Sequence, residues 1–326
     1  MSLGRALLIA SAALVCLRSD FAMASDAADP VRFETADGVQ LCGEFYASRV
    51  DAPCVLLIHE VGKLRSLKAW QATAESLHAK GLAVLRFDLR GHGESTEVEP
   101  EKFWSPQWPN RTLVRGKHLG AVSYKQFDDR YWSFLTQDLA AAKSFLDRRN
   151  DAGQCNASNL VVVAADSGAA LAALWMNGEW RRYRLQPPSF FGSAPRIDEE
   201  PEGKRILAAV LIDPAGSVGT RRVDLTASLT LPGKIGRMPI ALLYGSDAAA
   251  ARRSDAVEKA LKNGGPELPY TGAVRVENSG TSQGAQLLTL KPVRDAIVEF
   301  VQEVHRRRNR EWEDRDIAGA TFLQRN

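Results

Sequence analysis

Five apolar runs of strand length constrain the fold of this chain more than any other sequence feature. They occupy residues 54–59, 82–87, 160–163, 206–212 and 239–244. Apolar runs without polar alternation are typical of strands that are buried on both faces of a parallel sheet. Helical spacing is found between or after these runs, at residues 70–80, 134–148, 168–175, 254–262 and 292–308. The alternation predicts right-handed strand–helix–strand crossovers, and therefore an α/β protein with a mostly parallel sheet and helices on both faces.

A hairpin precedes the apolar runs, and an irregular segment interrupts them. Residues 31–34 and 39–47 flank Asp37-Gly38, and Asp-Gly is a strong turn signal. The interruption at 97–133 is rich in aromatic residues, proline and charge, so it is too apolar for a solvated linker. We therefore expect an insertion after the fourth strand. Its aromatic rings either cover the binding pocket as a lid or pack the insertion onto the body of the protein.

The size and charge of the chain favour one globular domain that does not bind nucleic acid. With 326 residues, 45% of them hydrophobic, the chain can bury a large core, and we place the single domain at 30–308. The formal net charge of +3 is too small to indicate nucleic-acid binding. Basic residues cluster at 306–310, but acidic residues follow at once. We expect a solvated helix end there and a charged C-terminal tail at 309–326.

The first 24 residues have the organisation of a secretory signal peptide. Arg5 supplies a positive charge, an apolar run covers residues 6–17, and Ala22-Met23-Ala24 offers a small-x-small cleavage pattern. The apolar run is too short to span a bilayer comfortably. We therefore expect cleavage before Ser25 and export to the periplasm or the extracellular space, with no membrane span in the mature chain. The alternatives are an uncleaved anchor and a mis-assigned start codon.

The cysteines do not indicate a metal site. After cleavage the chain keeps Cys42, Cys54 and Cys155, without the paired spacing of zinc ligands. We expect buried thiols that behave as small hydrophobic residues, and a Cys54–Cys155 disulfide is the alternative. The sequence shows no metal or cofactor motif, so we expect neither.

Four segments in this order resemble the α/β-hydrolase family, in its lipase- and peptidase-like branch. They are Leu57-Ile58-His59, the turn Phe87–Ser95 with its Arg90-Gly91-His92-Gly93-Glu94-Ser95, the strand Val161-Val162-Val163 that enters a small-residue turn, and Tyr244-Gly245-Ser246-Asp247. The resemblance covers nearly the whole mature chain and implies the α/β-hydrolase fold. It does not decide the activity, because fold and function are separable.

The resemblance places Asp166 where the family has its nucleophile. That residue sits on a tight strand-to-helix turn with small residues two positions before and after it, here Ala164 and Gly168. A shift of one residue would instead put Ser167 in this position. Aspartate serves as a nucleophile in some branches of the family. Without catalysis, a carboxylate at a helix N-terminus is also stabilised by free N–H groups.

The family's catalytic histidine is missing from its expected place. The resemblance puts it in the loop after the last strand, where this chain has Gln283-Gly284. Glutamine hydrogen-bonds but does not accept and return a proton near neutral pH. Asp247 matches the family's acid position, and Asp213, at the end of an earlier strand, is the second candidate.

His59 and Glu60 stand at the family's oxyanion loop. A glutamate there opposes the formation of an oxyanion, although either residue is also a candidate replacement base. We expect His59 to be bonded to backbone and His92 to be structural. His118 lies in the insertion, and His305 is expected on the surface at the end of the last helix.

Together these residues predict a hydrolase-like pseudoenzyme that binds an unknown small molecule or protein. The first alternative is an active hydrolase in which Asp166 is the nucleophile, Glu60 or His59 activates water and Asp247 assists. The second alternative is an esterase that uses Ser167.

Overall fold

The computed structural model describes residues 27–62, 68–116, 120–186, 196–230, 238–245, 248–263, 272–275, 282–317 and 320–324. The predicted signal peptide lies outside these residues. The strands are β1 (Asp29–Glu34), β2 (Gln40–Tyr46), β3 (Pro53–Ile58), β4 (Ala83–Phe87), β5 (Asn156–Ala165), β6 (Arg182–Gln186), β7 (Arg196–Pro201), β8 (Ile206–Ile212), β9 (Ser217–Val218), β10 (Arg221–Arg222), β11 (Ile240–Tyr244), β12 (Gly272–Arg275) and β13 (Thr321–Gln324). The α-helices are α1 (Lys68–His78), α2 (Pro100–Phe103), α3 (Asn110–Leu113), α4 (Thr136–Asp151), α5 (Ser167–Glu179), α6 (Leu225–Leu229), α7 (Ala248–Asn263) and α8 (Lys291–Arg308).

The described strands form one large sheet in the order β1-β2-β4-β3-β5-β8-β11-β12. β2 pairs with β1 and β4 in antiparallel fashion, and the remaining neighbours are parallel. The predicted hairpin and the predicted parallel sheet are therefore confirmed. Because parallel strands end at the same edge, the loops after β3, β5 and β8 lie side by side.

The central strands are buried on both faces, as their unbroken apolar runs predict. In β3, Leu56 and Ile58 join the hydrophobic core on one face of the sheet, whereas Val55 and Leu57 join the core on the other. Residues of α4, α5, α6 and α7 contribute to the first core, and residues of α1 and α8 to the second. The sheet therefore has helices on both faces.

The aromatic insertion packs onto the body of the protein. Five of its rings are buried within the first core: Phe103, Trp104, Phe127, Tyr131 and Trp132. This arrangement matches the packing interpretation of the two that the sequence left open.

A buried charge network holds the insertion to the hairpin. The guanidinium of Arg90 donates to Asp37 (2.7 and 3.0 Å), to Asp138 (2.7 Å) and to the hydroxyl of Tyr131 (2.7 Å). Asn110, in α3 of the insertion, donates to the same Asp37 carboxylate at 3.0 Å. Burial raises the pKa of Asp138 to about 6 in spite of the adjacent guanidinium. One buried cation thus joins the hairpin turn, the insertion and α4.

The C-terminal segment contacts the body of the protein at two places. Arg315 is only 1% exposed and forms ion pairs with Asp147 and Glu202, both of which are also buried. Strand β13 then pairs with β6 in a three-stranded sheet of order β13-β6-β7. Arg315 thus departs from the solvated tail expected at 309–326, because its guanidinium has buried partners, whereas residues 311–314 are exposed.

In the described part of the chain, Cys42, Cys54 and Cys155 are buried thiols, so the alternative Cys54–Cys155 disulfide is not formed. Burial raises the pKa of Cys54, and the adjacent Cys155 raises it further. Among the helices of the described ranges, none combines the length and the apolar character that a membrane crossing needs.

Candidate functional site

A strained turn between β5 and α5 carries Asp166. Its backbone angles, φ 50° and ψ −123°, lie outside the regions that residues with a side chain normally adopt. Its N–H donates to the carbonyl of Ile212 (2.9 Å), and its carbonyl accepts from Ala215 (3.1 Å). The end of β8 therefore holds the turn in place.

Gly168 is required where the new helix passes the end of β3. A Cβ atom at this position would overlap the backbone carbonyl oxygen of His59. The close approach and the strained turn both match the reading frame with Asp166 at the nucleophile position. Ser167 lies in the first turn of α5, and its hydroxyl accepts the N–H of Val61 at 2.9 Å.

The Asp166 side chain is only partly buried and does not cap α5. No side-chain capping hydrogen bond links it to the first turn of the helix. We considered that a non-catalytic Asp166 could be stabilised by the free N–H groups of the helix start. No capping hydrogen bond provides this stabilisation.

Glu60, two residues beyond β3, is a buried carboxylate beside Asp166. It is 5% exposed, and its Oε1 accepts the backbone N–H of Ala285 at 2.8 Å. Burial raises its pKa above the ordinary value of 4.5, and the Asp166 charge adds to the rise, whereas the Ala285 N–H lowers it. The Trp70 indole lies against this carboxylate, but neither its N–H nor Glu60 Oε2 completes a hydrogen bond of ordinary geometry.

Asp213 holds the loop in which the histidine was expected. It follows β8 directly, with a left-handed φ of 42°. Its Oδ1 accepts the N–H of Gly245 at 3.0 Å, and its Oδ2 accepts the N–H of Gly284 at 2.8 Å. Asp247, the first candidate for the acid position, lies outside the described residues. The contacts of Asp213 hold two backbone N–H groups in place.

The loop that begins at Gln283 packs tightly against both carboxylates of the turn region. Gly284 has a φ of 55°. A Cβ atom on Gly284 would lie 3.0 Å from Glu60 Oε1 and 3.4 Å from Asp166 Cβ. Glu60 and Asp166, which come from neighbouring strands, thus meet at one glycine.

The ring nitrogens of His59 and His92 are occupied by backbone groups. Nε2 of His59 accepts the N–H of Leu89 (3.0 Å), and Nε2 of His92 accepts the N–H of Gly62 (2.8 Å). Each Nδ1 faces a carbonyl, that of Glu60 for His59 and that of Arg90 for His92. An accepting Nε2 and a donating Nδ1 define neutral rings with structural roles, and burial lowers the pKa of His92. These contacts match the expected structural roles.

The remaining histidines supply no base among the described residues. His78 ends α1 and faces the carbonyl of Leu82, and His305 lies in the last turn of α8. His118, the histidine of the insertion, lies outside the described residues.

A cleft of about 530 Å³ opens over Asp166. Its polar lining consists of Glu60, Lys68, Asp166, Gln283, Gln286 and Thr289. Small residues, Ala69, Gly284 and Ala285, complete it. We call this space the elbow cleft. None of these lining residues comes from the insertion.

The sequence did not single out Lys68, Gln286 or Thr289 as site residues. Gln286 and Thr289 lie in the short 3₁₀ segment that begins directly after Gln283, so the loop itself was the available signal. Lys68 begins α1 and carried no signal. In the described part of the chain, no group of three or more His, Cys, Asp or Glu side chains is arranged to hold a metal ion.

Comparison with known proteins finds hydrolases. No protein-family model matches the chain. The thiohydrolase AneE of Aspergillus aculeatus is 35% identical over 77 residues, which are 22% of this chain and 24% of that enzyme. The match therefore spans about a quarter of the length of this curated relative.

Three solved structures resemble the chain over most of its length. A dienelactone hydrolase from Anabaena variabilis has a TM-score of 0.54 at 16% identity, covering 87% of this chain and 99% of its own. The esterase Pf2001 of Pyrococcus furiosus has a TM-score of 0.55 at 14% identity, covering 86% and 91%. The esterase domain of a Rhodothermus marinus protein has a TM-score of 0.51 at 16% identity, covering 86% and 99%. At these identities the likeness concerns the fold alone.

Proposed function

Because the chain has the α/β-hydrolase fold, we propose that it descends from an ester hydrolase, has lost the catalytic triad, and binds a small ligand in the elbow cleft. The observation that carries this proposal is the occupancy of the two key positions. Asp166 lies on a strained turn, as the nucleophile of the family does. Gln283 stands at the start of the loop in which the resemblance places the catalytic histidine.

Acyl transfer by a serine needs a base that takes up and returns a proton near neutral pH. Gln283 is not such a base. His59 and His92 accept backbone N–H groups at the nitrogen that would have to receive the proton. Ser167 lies on the first turn of α5 rather than on the strained turn, and its hydroxyl accepts the backbone N–H of Val61.

The oxyanion loop also opposes the chemistry of esterases. Glu60 lies beside Asp166, where a tetrahedral intermediate at this turn would place negative charge. Stabilisation of an oxyanion requires positive dipoles at that point, and a carboxylate acts against it. The cleft itself persists, with hydrogen-bonding groups along its wall. Ligand binding is the activity that these features still support.

The proposal is tested by measuring turnover of short-chain p-nitrophenyl esters and thioesters by the purified protein, with Asp166→Ala as the matched variant. We expect no turnover above that of buffer with either protein. Turnover by the unmodified protein that Asp166→Ala abolishes would overturn the proposal. Labelling by a fluorophosphonate probe that Ser167→Ala removes would instead establish Ser167 as a nucleophile.

A second candidate function is supported by the pairing of Glu60 with Asp166. Asp166 would attack a substrate carbon and form an ester with it as the leaving group departs. Glu60 would then take a proton from water while that water attacks the Asp166 carboxyl carbon and releases the product. The raised pKa of Glu60 brings it nearer to the value that suits a general base. Glu60, rather than His59, would then be the base that activates water; the sequence offered both residues for this role.

Single-turnover reaction in H₂¹⁸O separates the two functions. A nucleophilic Asp166 incorporates ¹⁸O into its carboxylate, which peptide mass spectrometry detects, whereas a binding protein shows no incorporation. The Glu60→Gln variant would accumulate the covalent ester if Glu60 activates the water.

The proposed function includes export through residues 1–24. Fractionation of cells that express the full chain with a C-terminal tag would check it. We expect tagged protein outside the cytoplasm with Ser25 as its first residue. Tagged protein that retains Met1 and stays inside would contradict export without affecting the proposed ligand binding.

A further inference from the structure

Two histidines join the loop after β3 to the turn after β4 in a reciprocal way. Nε2 of His59, in the loop, accepts the backbone N–H of Leu89 in the turn at 3.0 Å. Nε2 of His92, in the turn, accepts the backbone N–H of Gly62 in the loop at 2.8 Å. Each segment thus supplies the imidazole that holds an amide of the other. We call His59 and His92 the histidine pair.

Both rings of the histidine pair are buried at one junction of the fold, with their centroids 5.4 Å apart. The insertion covers His92, because the ring of Tyr124 stacks on it at a centroid distance of 4.3 Å. The N–H of Tyr124 also donates to the carbonyl of Gly91 at 3.0 Å. The pair therefore connects three segments, which are the loop, the turn and the insertion.

Each of the two bonds requires an uncharged ring. An imidazole nitrogen accepts an N–H only while it carries no proton, and a protonated imidazole has two donors and no acceptor. Each Nδ1 faces a carbonyl oxygen, that of Glu60 or of Arg90, so Nδ1 carries the one proton of the neutral ring. A proton added at Nε2 would point at the N–H of Leu89 or Gly62. Two charged rings at this separation would also repel each other.

We infer that the histidine pair is a pH-sensitive connection: in mildly acidic solution both rings take up protons, the amides of Leu89 and Gly62 are released, and residues 59–62 loosen from the turn and from the insertion. The inference goes beyond the proposed function, because it concerns how this loop is held and not what the cleft binds. It affects the elbow cleft through Glu60, which lies in the loop and lines the cleft.

The groups that face His92 set the direction of the effect. They are Tyr124 from the insertion, His59 from the loop and Asp88 from the turn itself. Burial lowers the pKa of His92 below the ordinary value of 6.5, and the carbonyl of Arg90 and the charge of Asp88 only partly offset this. The released state therefore binds more protons than the closed state. Release becomes more favourable as the pH falls below that value, by at most about tenfold per pH unit for each histidine.

Two nearby carboxylates act in the opposite sense. Burial raises the pKa of Glu60, which follows His59, and it raises the pKa of Asp138, which accepts the Arg90 N–H, to about 6. Their titration makes the folded state more stable as the pH falls. A release in acid thus runs against both carboxylates, and variants that keep Glu60 and Asp138 isolate the contribution of the histidines.

Hydrogen exchange of the full chain, followed by mass spectrometry, tests the inference. The measured quantity is the protection of peptides that contain Gly62 or Leu89, corrected for the intrinsic pH dependence of exchange. We expect it to be at least about tenfold lower at about pH 5.5 than at about pH 7.5. Strand β5, at the centre of the sheet, should keep its protection. Unchanged protection of Gly62 and Leu89, or an equal loss in β5 through global unfolding, would overturn the inference.

A double variant assigns the effect to the histidine pair. His59→Gln together with His92→Gln supplies acceptor oxygens that do not titrate, so protection should be the same at both pH values. His78→Gln is the matched control, because His78 ends α1 and faces the carbonyl of Leu82 instead. This control should keep the loss seen in the unmodified protein. An equally large loss in the double variant would rule out the histidine pair as its cause.

Nuclear magnetic resonance of the histidine rings in the unmodified protein gives a second measurement that needs no variant. The ¹⁵N shifts of His59 and His92 should show neutral rings protonated at Nδ1 at about pH 7.5. Both rings should take up protons over the same pH range in which Gly62 and Leu89 lose protection. Rings that are already charged at about pH 7.5, or that titrate without any loss of protection, would contradict the inference.

Discussion

The Glu60 carboxylate accepts the backbone N–H of Ala285 at 2.8 Å, across a sequence separation of 225 residues. This bond joins the loop after β3 to the loop that follows the last described strand of the sheet. Asp213 makes the adjacent bond, to the N–H of Gly284. Two carboxylates from different strand ends thus hold two consecutive amides. They determine where Gln283 and the elbow cleft lie.

Glu60→Gln should change how stability depends on pH. The pKa of Glu60 is raised above 4.5 in the folded protein, mainly by burial. At pH values between 4.5 and the raised pKa, the folded state binds more protons than the unfolded state. The free energy of unfolding therefore falls as pH rises. The neutral glutamine removes this decrease and still accepts the Ala285 N–H. Urea unfolding at several pH values from 4 to 8 checks this, and an unchanged pH slope in the variant would contradict it.

Asp213→Asn should destabilise the folded protein by about 1.5–3 kcal/mol, because asparagine has one acceptor oxygen for two buried N–H donors. Asparagine tolerates the left-handed φ of 42°, so backbone strain does not contribute. Denaturant unfolding measures the change. The matched control is Asp224→Asn at the N-cap of α6, where asparagine caps equally well and the cost should be near zero. Equal effects of the two substitutions would refute the role of the two bonds.

Gly168→Ala should destabilise the protein by about 1–3 kcal/mol, because its methyl group would overlap the carbonyl of His59. Gly178→Ala is the control in the same helix, where the nearest atom would be 3.8 Å away. There the better helix propensity of alanine should stabilise by up to about 1 kcal/mol. Thermal unfolding compares both variants. A neutral Gly168→Ala would show that the turn at Asp166 is looser than this close approach implies.

Arg90→Lys should cost about 3–5 kcal/mol of stability, the range for breaking a buried ion pair. Lysine lacks the planar fork that reaches Asp37, Asp138 and Tyr131 at once. Arg32→Lys is the control, since the exposed pair of Arg32 with Glu97 should contribute less than about 1 kcal/mol. The check is chemical unfolding monitored by tryptophan fluorescence. A small effect at Arg90 would mean that the network relaxes around lysine.

Local pattern was sufficient for most of the sheet. β8 covers residues 206–212 as predicted, and β3 and β4 agree with prediction within one residue at each end. Such strands are readable because burial on both faces leaves almost no polar residue in the run, and Arg86 of β4 is the exception. The turn at Asp166 was also predictable, since the small residues around it reflect a close backbone approach.

Sequence pattern failed where strands depend on distant partners. The apolar runs of the sequence do not include β6 and β7, which form a three-stranded sheet with β13. These strands are short and rich in charged residues, so they lack an apolar run. Arg315 was read as solvated because its partners Asp147 and Glu202 lie more than 100 residues away in the chain.

By itself the sequence determined the alternation of strands and helices in the large sheet and the two-sided burial of that sheet, and it supplied Asp166 and Gln283 as the residues that the resemblance aligns with a nucleophile and a base. These features depend on local periodicity and on residue identity. Only the tertiary structure decided that Glu60, Asp166 and Asp213 converge on Gly284 and Ala285, and that His59 and His92 are tied to backbone groups. Those contacts depend on how separate strand ends align at one edge of the sheet, and no local pattern encodes that alignment.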